Sequence, residues 1–403
     1  MKGKGMKLSF KHTRFTCYCA YGVGAVIVNF SPLLFIIFQK EFGLSMLKLS
    51  SLIALNFGTQ MTVDILGAHF VDKIGYRKCI VAANIFAAVG FTLMGILPFL
   101  MPSYLGLIIS TVLFSIGGGL LEVLVSPITE ALPTEGKEAT MSLLHSFYCW
   151  GQVATVLLTT LYFAVFGTGA WRILCMLWAV LPIFTALMFC FVPINSFTNE
   201  ETKVPIRALF KEKRFVLFLI LMLCSGASEI AMAQWASLFA ETSLGITKAV
   251  GDIFGPCMFA VTMGISRVLY AKCADKLNLA NYIIFCAGLC IVSYLLASLS
   301  PINVLSMAGC LICGFSVGVM WPGVLSISAE KCPQGGTALF ALLAFTGDIG
   351  CMTGPSTAGL IAERFSIGGS PLKAGLLGCI IFPLVMILCT FILKRMKEEK
   401  VYE

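Results

Sequence analysis

A chain of 403 residues that is 58% hydrophobic and only 12% charged, with a mean hydropathy of +0.93, lies outside the range of water-soluble globular domains. Composition therefore predicts an integral membrane protein. The net charge of +8 follows the loops, as set out below, and gives no ground for a nucleic-acid partner.

A bilayer-spanning helix needs about 20 mostly apolar residues. The chain offers about a dozen such runs, at about 14–38, 49–70, 79–98, 103–128, 140–166, 171–193, 214–240, 247–270, 279–298, 302–328, 336–362 and 374–394. The first carries Asn29 and Pro32 within VIVNFSPLLFIIFQKEF. It is too long for the apolar core of a signal peptide and has no plausible cleavage site, so it is expected to direct insertion itself. In the second, Asn56, Gln60 and Asp64 recur every four residues and share one helical face. The loop DKIGYRK, from Asp72 to Lys78, follows it.

The fourth run, SYLGLIISTVLFSIGGGLLEVLVSPIT, is uncharged apart from Glu122. A charge at the centre of a spanning helix costs roughly 2.5–3.5 kcal/mol on insertion scales, so it marks either a pathway or a structural pair. His145, Tyr148 and Gln152 share a face of the fifth helix. The segment INSFTNEETKVPIRALFKEKRF, 194–215, is the longest polar stretch. Its Ile206, Leu209 and Phe210 oppose Arg207, Lys211 and Arg214, as in a helix lying on the cytoplasmic surface. It divides the chain into a six-helix bundle at 1–193, a linker at 194–213 and a second bundle at 214–403. In the second half Glu229 precedes Gln234 and Trp235, Trp321 precedes Pro322, and Asp348 follows Gly347.

Basic residues cluster at the amino terminus, after the second helix, in the central connection, after the eighth helix and at the end. The opposite side has only Lys40, Lys48, Arg172, Lys248, Arg364 and Lys373. The positive-inside rule then places both termini in the cytoplasm. The cysteines, 17 in number, are odd in count and mostly sit in apolar runs, where they read as small packing residues. Cys310 and Cys313 would need two further ligands to hold zinc, and neither a metal nor a cofactor is expected.

The halves echo each other: GAHFVDKIGYRK (Gly67 to Lys78) is answered by GISRVLYAKCADK (Gly264 to Lys276), which ends in Asp275 and Lys276. At these residues the chain resembles the major facilitator superfamily. The resemblance implies an all-α membrane protein with twelve transmembrane helices in two pseudo-symmetric six-helix bundles. It also implies a cytoplasmic latch formed by Asp72, Lys73, Arg77, Lys78 and Asp275; Ala68 replaces the usual glycine four places before the first acid. GGGLLEVLVSP, from Gly117 to Pro127, resembles the fucose, galactose and glucose permease branch, in which the glutamate takes part in proton coupling. The branch's first-helix aspartate is absent here, and Asn29 is the nearest polar group to Pro32, which stands in its place. GDIGCMTGPSTAG (Gly347 to Gly359) is similar to a motif of drug/proton antiporters but lies in the eleventh helix, where small residues permit close packing.

Asp64, Glu122, Glu229 and Asp348 lie within helices with no Lys or Arg expected at equal depth. Burial disfavours the charged form, which suits proton carriers. Glu122 and Asp64 are the expected proton-coupling groups. Asn29, Asn56, Gln60, His145, Tyr148, Gln152, Glu229, Gln234, Trp235, Trp321 and Asp348 are the candidate solute contacts, since amides and carboxylates bond hydroxyls and Trp faces stack on sugar rings. The expected activity is proton-coupled transport of a small, sugar-like solute across the cytoplasmic membrane by a monomer. The alternatives are proton-driven efflux of an amphipathic compound or a non-transporting sensor. An enzyme is not expected, as HExxH, GxSxG and paired-Asp signatures are absent.

Overall fold

The computed structural model describes residues 8–133, 137–194, 213–273, 278–332 and 336–396. It is almost wholly helical. Among the described residues ten helices are long and apolar enough to cross a membrane, and α3 (Met46–Ile74) and α15 (Gly336–Arg364) are 29-residue helices outside that set. These two carry Asn56, Gln60 and Asp64, and Asp348, respectively. Helix ends fall close to the expected ones, because bilayer thickness and apolar length fix them together. The linker at 194–213 with its surface helix lies almost wholly outside the described residues.

The chain forms two compact units, one from Met1–Leu44 and Leu55–Glu200, the other from Ser45–Ala54 and Glu201–Glu403. The first contains α1 (Phe10–Leu33), α2 (Phe35–Phe42), most of α3, α4 (Tyr76–Met94), α5 (Leu97–Leu100), α6 (Ser103–Glu130), α7 (Lys137–Phe166) and α8 (Trp171–Phe191). Pro32 lacks an amide proton, and the helical run breaks just beyond it at Leu34. In α8, Ile173, Leu177, Val180, Phe184, Leu187 and Phe191 are exposed while Leu174, Cys175, Ala179, Ala186 and Phe189 are buried. An apolar face of that size left open fits lipid.

Two clusters fix the ends of this unit. Trp171 packs edge-on against Phe38 and Phe42, and its Nε1 donates to Glu41 Oε2 at 2.8 Å. At the end of α8, Arg77 donates to the carbonyls of Phe189 (2.6 Å), Cys190 (3.0 Å) and Val192 (2.8 Å). A cation there satisfies carbonyls that have no helical partner and meets the negative end of the helix dipole. Arg77 was expected in the cytoplasmic latch; these three hydrogen bonds go to the backbone of its own unit. Arg77→Ala is expected to lower stability by roughly 1–2 kcal/mol, read as a lower thermal midpoint in detergent. Arg77→Lys should restore only part, since an ammonium lacks the fork.

The second unit contains α9 (Lys213–Leu244), α10 (Lys248–Asp252), α11 (Met258–Cys273), α12 (Leu279–Leu299), α13 (Asn303–Val317), α14 (Met320–Lys331), α15, α16 (Pro371–Gly378) and α17 (Ile381–Arg395). A π-helical turn at Ile253–Cys257, which contains Pro256, joins α10 to α11. α9 and α15 pack without intervening side chains. A Cβ on Gly226 would lie 3.0 Å from Cys351 Sγ, one on Gly350 2.9 Å from the carbonyl carbon of Leu223, and one on Gly354 2.7 Å from Ala227 Cα. The small residues of GDIGCMTGPSTAG thus serve close packing within this unit. Gly350→Ala is expected to cost about 1–3 kcal/mol, because backbone rather than a movable side chain stands in the way; thermal denaturation in detergent checks it.

Cys310 and Cys313 are fully buried, with Met232 Sδ 3.6 Å from the first sulfur and the Ser228 carbonyl 4.0 Å from the second. Their neighbours are those of packing residues.

Candidate functional site

The three glycines at 117–119 set the geometry of the first unit's interior. A Cβ on Gly117 would lie 2.8 Å from the Ala87 amide nitrogen of α4. On Gly118 it would lie 2.7 Å from Gln60 Oε1, and on Gly119 3.0 Å from Asp64 Oδ1. The glycines therefore let α6 approach α4 on one side and the polar face of α3 on the other. Glu122 stands one helical turn beyond Gly118, so it projects toward the same face of α3. Its carboxylate and that of Asp64 lie within 4.8 Å of each other.

The surroundings divide into a spent part and an accessible part. Asn56 donates to the Ile27 carbonyl at 3.3 Å and accepts from Gln60 Nε2 at 2.8 Å and Ser115 Oγ at 2.7 Å. It is 4% exposed and Gln60 7%, so this ladder ties α1, α3 and α6 together. Asn56 was expected as a solute contact; the structure turns it to interhelical bonding. Asn29 likewise donates to the Ala25 carbonyl of its own helix at 2.9 Å. Beyond the ladder, Asp64 is half-buried and Glu122 exposed. Tyr21 shares a 3.0 Å hydrogen bond with Ser126, a turn beyond Glu122.

Two carboxylates this close repel by about 3.5 kcal/mol at an effective dielectric of about 20. One shared proton removes that repulsion. The arrangement can therefore take up and release a proton between α3 and α6.

Of the other candidates in this unit, Gln152 is buried and Tyr148 half-buried on α7, while the side chain of His145 lies outside the described residues. Lys73 and Lys78 are exposed. The side chain of Asp72 and the whole of Asp275 are outside the described residues.

In the second unit Glu229 and Asp348 are half-buried. Trp321 lies against Gly347, where a Cβ would strike its ring. Gln234 is buried. Trp235 is fully buried, with Nε1 donating to the Pro355 carbonyl at 3.0 Å, so this ring packs α9 on α15 and does not offer a stacking face. The unit also has a cation that the sequence reading left outside the membrane. Arg267 sits within α11 on the face shared with Phe259, Met263 and Ser266, opposite exposed Ile265, Val268 and Leu269. It donates to the Gly318 carbonyl at 3.0 Å. Tyr21, Ser115, Ser126 and Arg267 were all missed; the signal for Ser115 and Ser126 was their helical spacing from Glu122.

Long apolar helices with exposed apolar faces, and acids retained inside, define a multi-pass membrane protein. The family model of the Major Facilitator Superfamily matches residues 15–355, and the chain belongs to that superfamily of transporters. No curated protein sequence matches it. Solved structures of similar fold include a bacterial homolog of the human lysosomal transporter Spinster, inward-facing and occupied, at 14% identity and a TM-score of 0.78, covering 97% of this chain and 98% of that one. A D-xylose–proton symporter gives 13% and 0.76, with 96% of both chains covered. A variant of the nucleoside transporter NupG gives 12% and 0.77, covering 96% of this chain and 98% of that one. Likeness at these identities concerns the fold alone.

Proposed function

We propose that the protein is a proton-coupled secondary active transporter that takes up a small polar, sugar-like solute across the cytoplasmic membrane, with the Asp64–Glu122 pair as the proton site. The observation that carries this proposal is the approach of the two carboxylates to within 4.8 Å, with Glu122 exposed. The aspartate missing from the first helix is then replaced in function by Asp64 of α3. A proton entering from outside occupies the pair and permits solute to bind. The two halves exchange access, and loss of the proton to the cytoplasm releases the load. One charge moving with a neutral solute gains about 2.3 kcal/mol per 100 mV, enough for roughly 50-fold accumulation.

In this proposal α3 and α15 complete twelve spans in two six-helix halves, 1–193 and 214–403, with both termini cytoplasmic. Asp72, Lys73, Lys78 and Asp275 gate the cytoplasmic side. Gln60, Tyr148 and Gln152 with His145, and Gln234, Trp321 and Asp348, are the candidate solute contacts. The occurrence of a D-xylose–proton symporter among the structures of similar fold supports a sugar-like solute.

The test begins with a thermal-shift screen of sugars, sugar acids and nucleosides on the purified protein, since bound solute stabilises the fold by mass action. Uptake of the hit into proteoliposomes then follows. Accumulation driven by an inward proton gradient and abolished by a protonophore is expected. Export driven by the same gradient would replace uptake with efflux.

A further inference from the structure

The ladder on α3 fixes which end of the Gln60 amide is left over. The Ile27 carbonyl can only accept, so at 3.3 Å from Asn56 Nδ2 it holds that nitrogen and turns the Asn56 oxygen the other way. The oxygen lies 2.8 Å from Gln60 Nε2 and 2.7 Å from Ser115 Oγ. It cannot donate, so Gln60 must bring its nitrogen to it, and reversing the Gln60 amide would set two oxygens against each other. A backbone carbonyl thus sets the direction of both amides. Gln60 Oε1 is the atom that remains.

Gln60 Oε1 takes no hydrogen bond from a described residue, and although Gln60 is only 7% exposed, this oxygen is not sealed from solvent. It stands against α6 at Gly118, where a Cβ would lie 2.7 Å from it. Asp64 Oδ1 stands against the next residue of α6, 3.0 Å from a Cβ on Gly119, and the Asp64 carboxylate lies within 4.8 Å of that of Glu122. The amide oxygen therefore continues the row that the two acids form. A carbonyl oxygen withdrawn from bulk water is costly to leave without a donor, and ionised carboxylates, which only accept, do not supply one.

We propose that Gln60 Oε1 is an oriented acceptor for a hydroxyl of the transported solute, with Asn56 as the positioning residue that fixes its direction. This deepens the transport function proposed above and rests on it: the end of the solute that meets α3 carries a hydrogen-bond donor. A hydroxyl supplies one, whereas an ionised carboxylate, a phosphate or a keto oxygen brings acceptors only and leaves the amide oxygen unmatched. A site built to bond a hydroxyl discriminates against the analogue that lacks it far better than an apolar pocket discriminates by size.

The probes are glucose and its analogues with fluorine in place of the hydroxyl on the second, third, fourth or sixth carbon. Fluorine accepts weakly and cannot donate. Affinities are read from thermal-shift titrations of the purified full-length protein. Wild type should bind glucose and bind at least one analogue roughly ten-fold or more weakly. In Gln60→Met, which keeps the length of the side chain without its oxygen, that penalty should shrink to about two-fold while the other analogues keep theirs, because the hydroxyl has lost its partner. Gln60→Leu should give the same pattern and serves if the first variant does not fold. Asn56→Leu frees the amide to turn its nitrogen toward the fluorine, so it should shrink the same penalty. A purely structural role for Asn56 would instead weaken every probe alike and leave the penalty in place. Glucose binding with no analogue penalised, or a penalty as large in the Gln60 variants as in wild type, overturns the proposal. If no probe binds wild type, the proposal fails together with the sugar-like solute, while the Asp64–Glu122 pair stands or falls on proton uptake.

Discussion

Glu122→Gln is expected to abolish accumulation of solute against its gradient while leaving exchange of internal for external solute within a few-fold of wild type. The amide keeps the shape of the side chain and its place one turn beyond Gly118, but it cannot give up a proton. With the repulsion from Asp64 removed permanently, the pair behaves as though always protonated. Solute then binds and crosses, and the step that links crossing to proton release is gone. Exchange needs only the loaded carrier to reorient, so it survives. Asp64→Asn should act in the same direction, and the double variant should be no worse than the worse single one, because the two acids act as one site. If Glu122→Gln accumulates solute as wild type does, the proton is carried elsewhere, and Glu229 and Asp348 become the groups to replace next.

The second large effect concerns stability. Lys248 Nζ lies 2.9 Å from Asp252 Oδ2 and 3.6 Å from Glu241 Oε1, with Asp252 fully buried and Lys248 only 11% exposed. Ser237 also donates to Asp252. The network joins α9 to α10 directly before the π-helical turn. Removing one member leaves a charge out of water without its countercharge, which costs about 3–5 kcal/mol, more than the intact pair contributes. Lys248→Met should therefore lower the thermal midpoint strongly. Lys248→Met combined with Asp252→Leu should recover part of the loss, as the fully buried charge left by the first change is gone while Glu241 keeps its own. A single variant as stable as wild type would show that this network does not hold α9 to α10.

Most of the fold was legible from apolar run length, because bilayer thickness imposes one scale on every span and leaves little freedom in where a helix ends. The breaks were not. Leu34, the turn at Ile253–Cys257 and the joint at Gly318 to Val319 interrupt helices inside continuous apolar sequence, and hydropathy carries no information on which carbonyl each amide meets. Pro32, Pro256 and Pro322 lie beside these breaks and are the only local sign of them.

The site was legible in a different measure. Glu122 and Asp64 each stood out as an acid in an apolar run, and the triple glycine showed that α6 approaches something closely. That this something is the Asp64 face of α3 depends on tertiary packing. Asn29, Asn56 and Trp235 show the opposite failure. Residue type cannot tell an amide or indole that bonds a neighbouring helix from one that faces a solute, and here all three bond backbone carbonyls. Arg267 was counted among the basic residues that cluster after the eighth helix. Its position on the face of Phe259 and Met263 was the available clue.

Proton uptake measured on the purified protein is the most direct test of the Asp64–Glu122 pair. With a pH-indicator dye in weakly buffered detergent solution, addition of solute to wild type should draw protons from the medium, and the signal should vanish in the variant carrying both Asp64→Asn and Glu122→Gln although that variant still binds solute. Proton uptake of equal size in wild type and in the double variant would contradict the assignment of the coupling site to this pair.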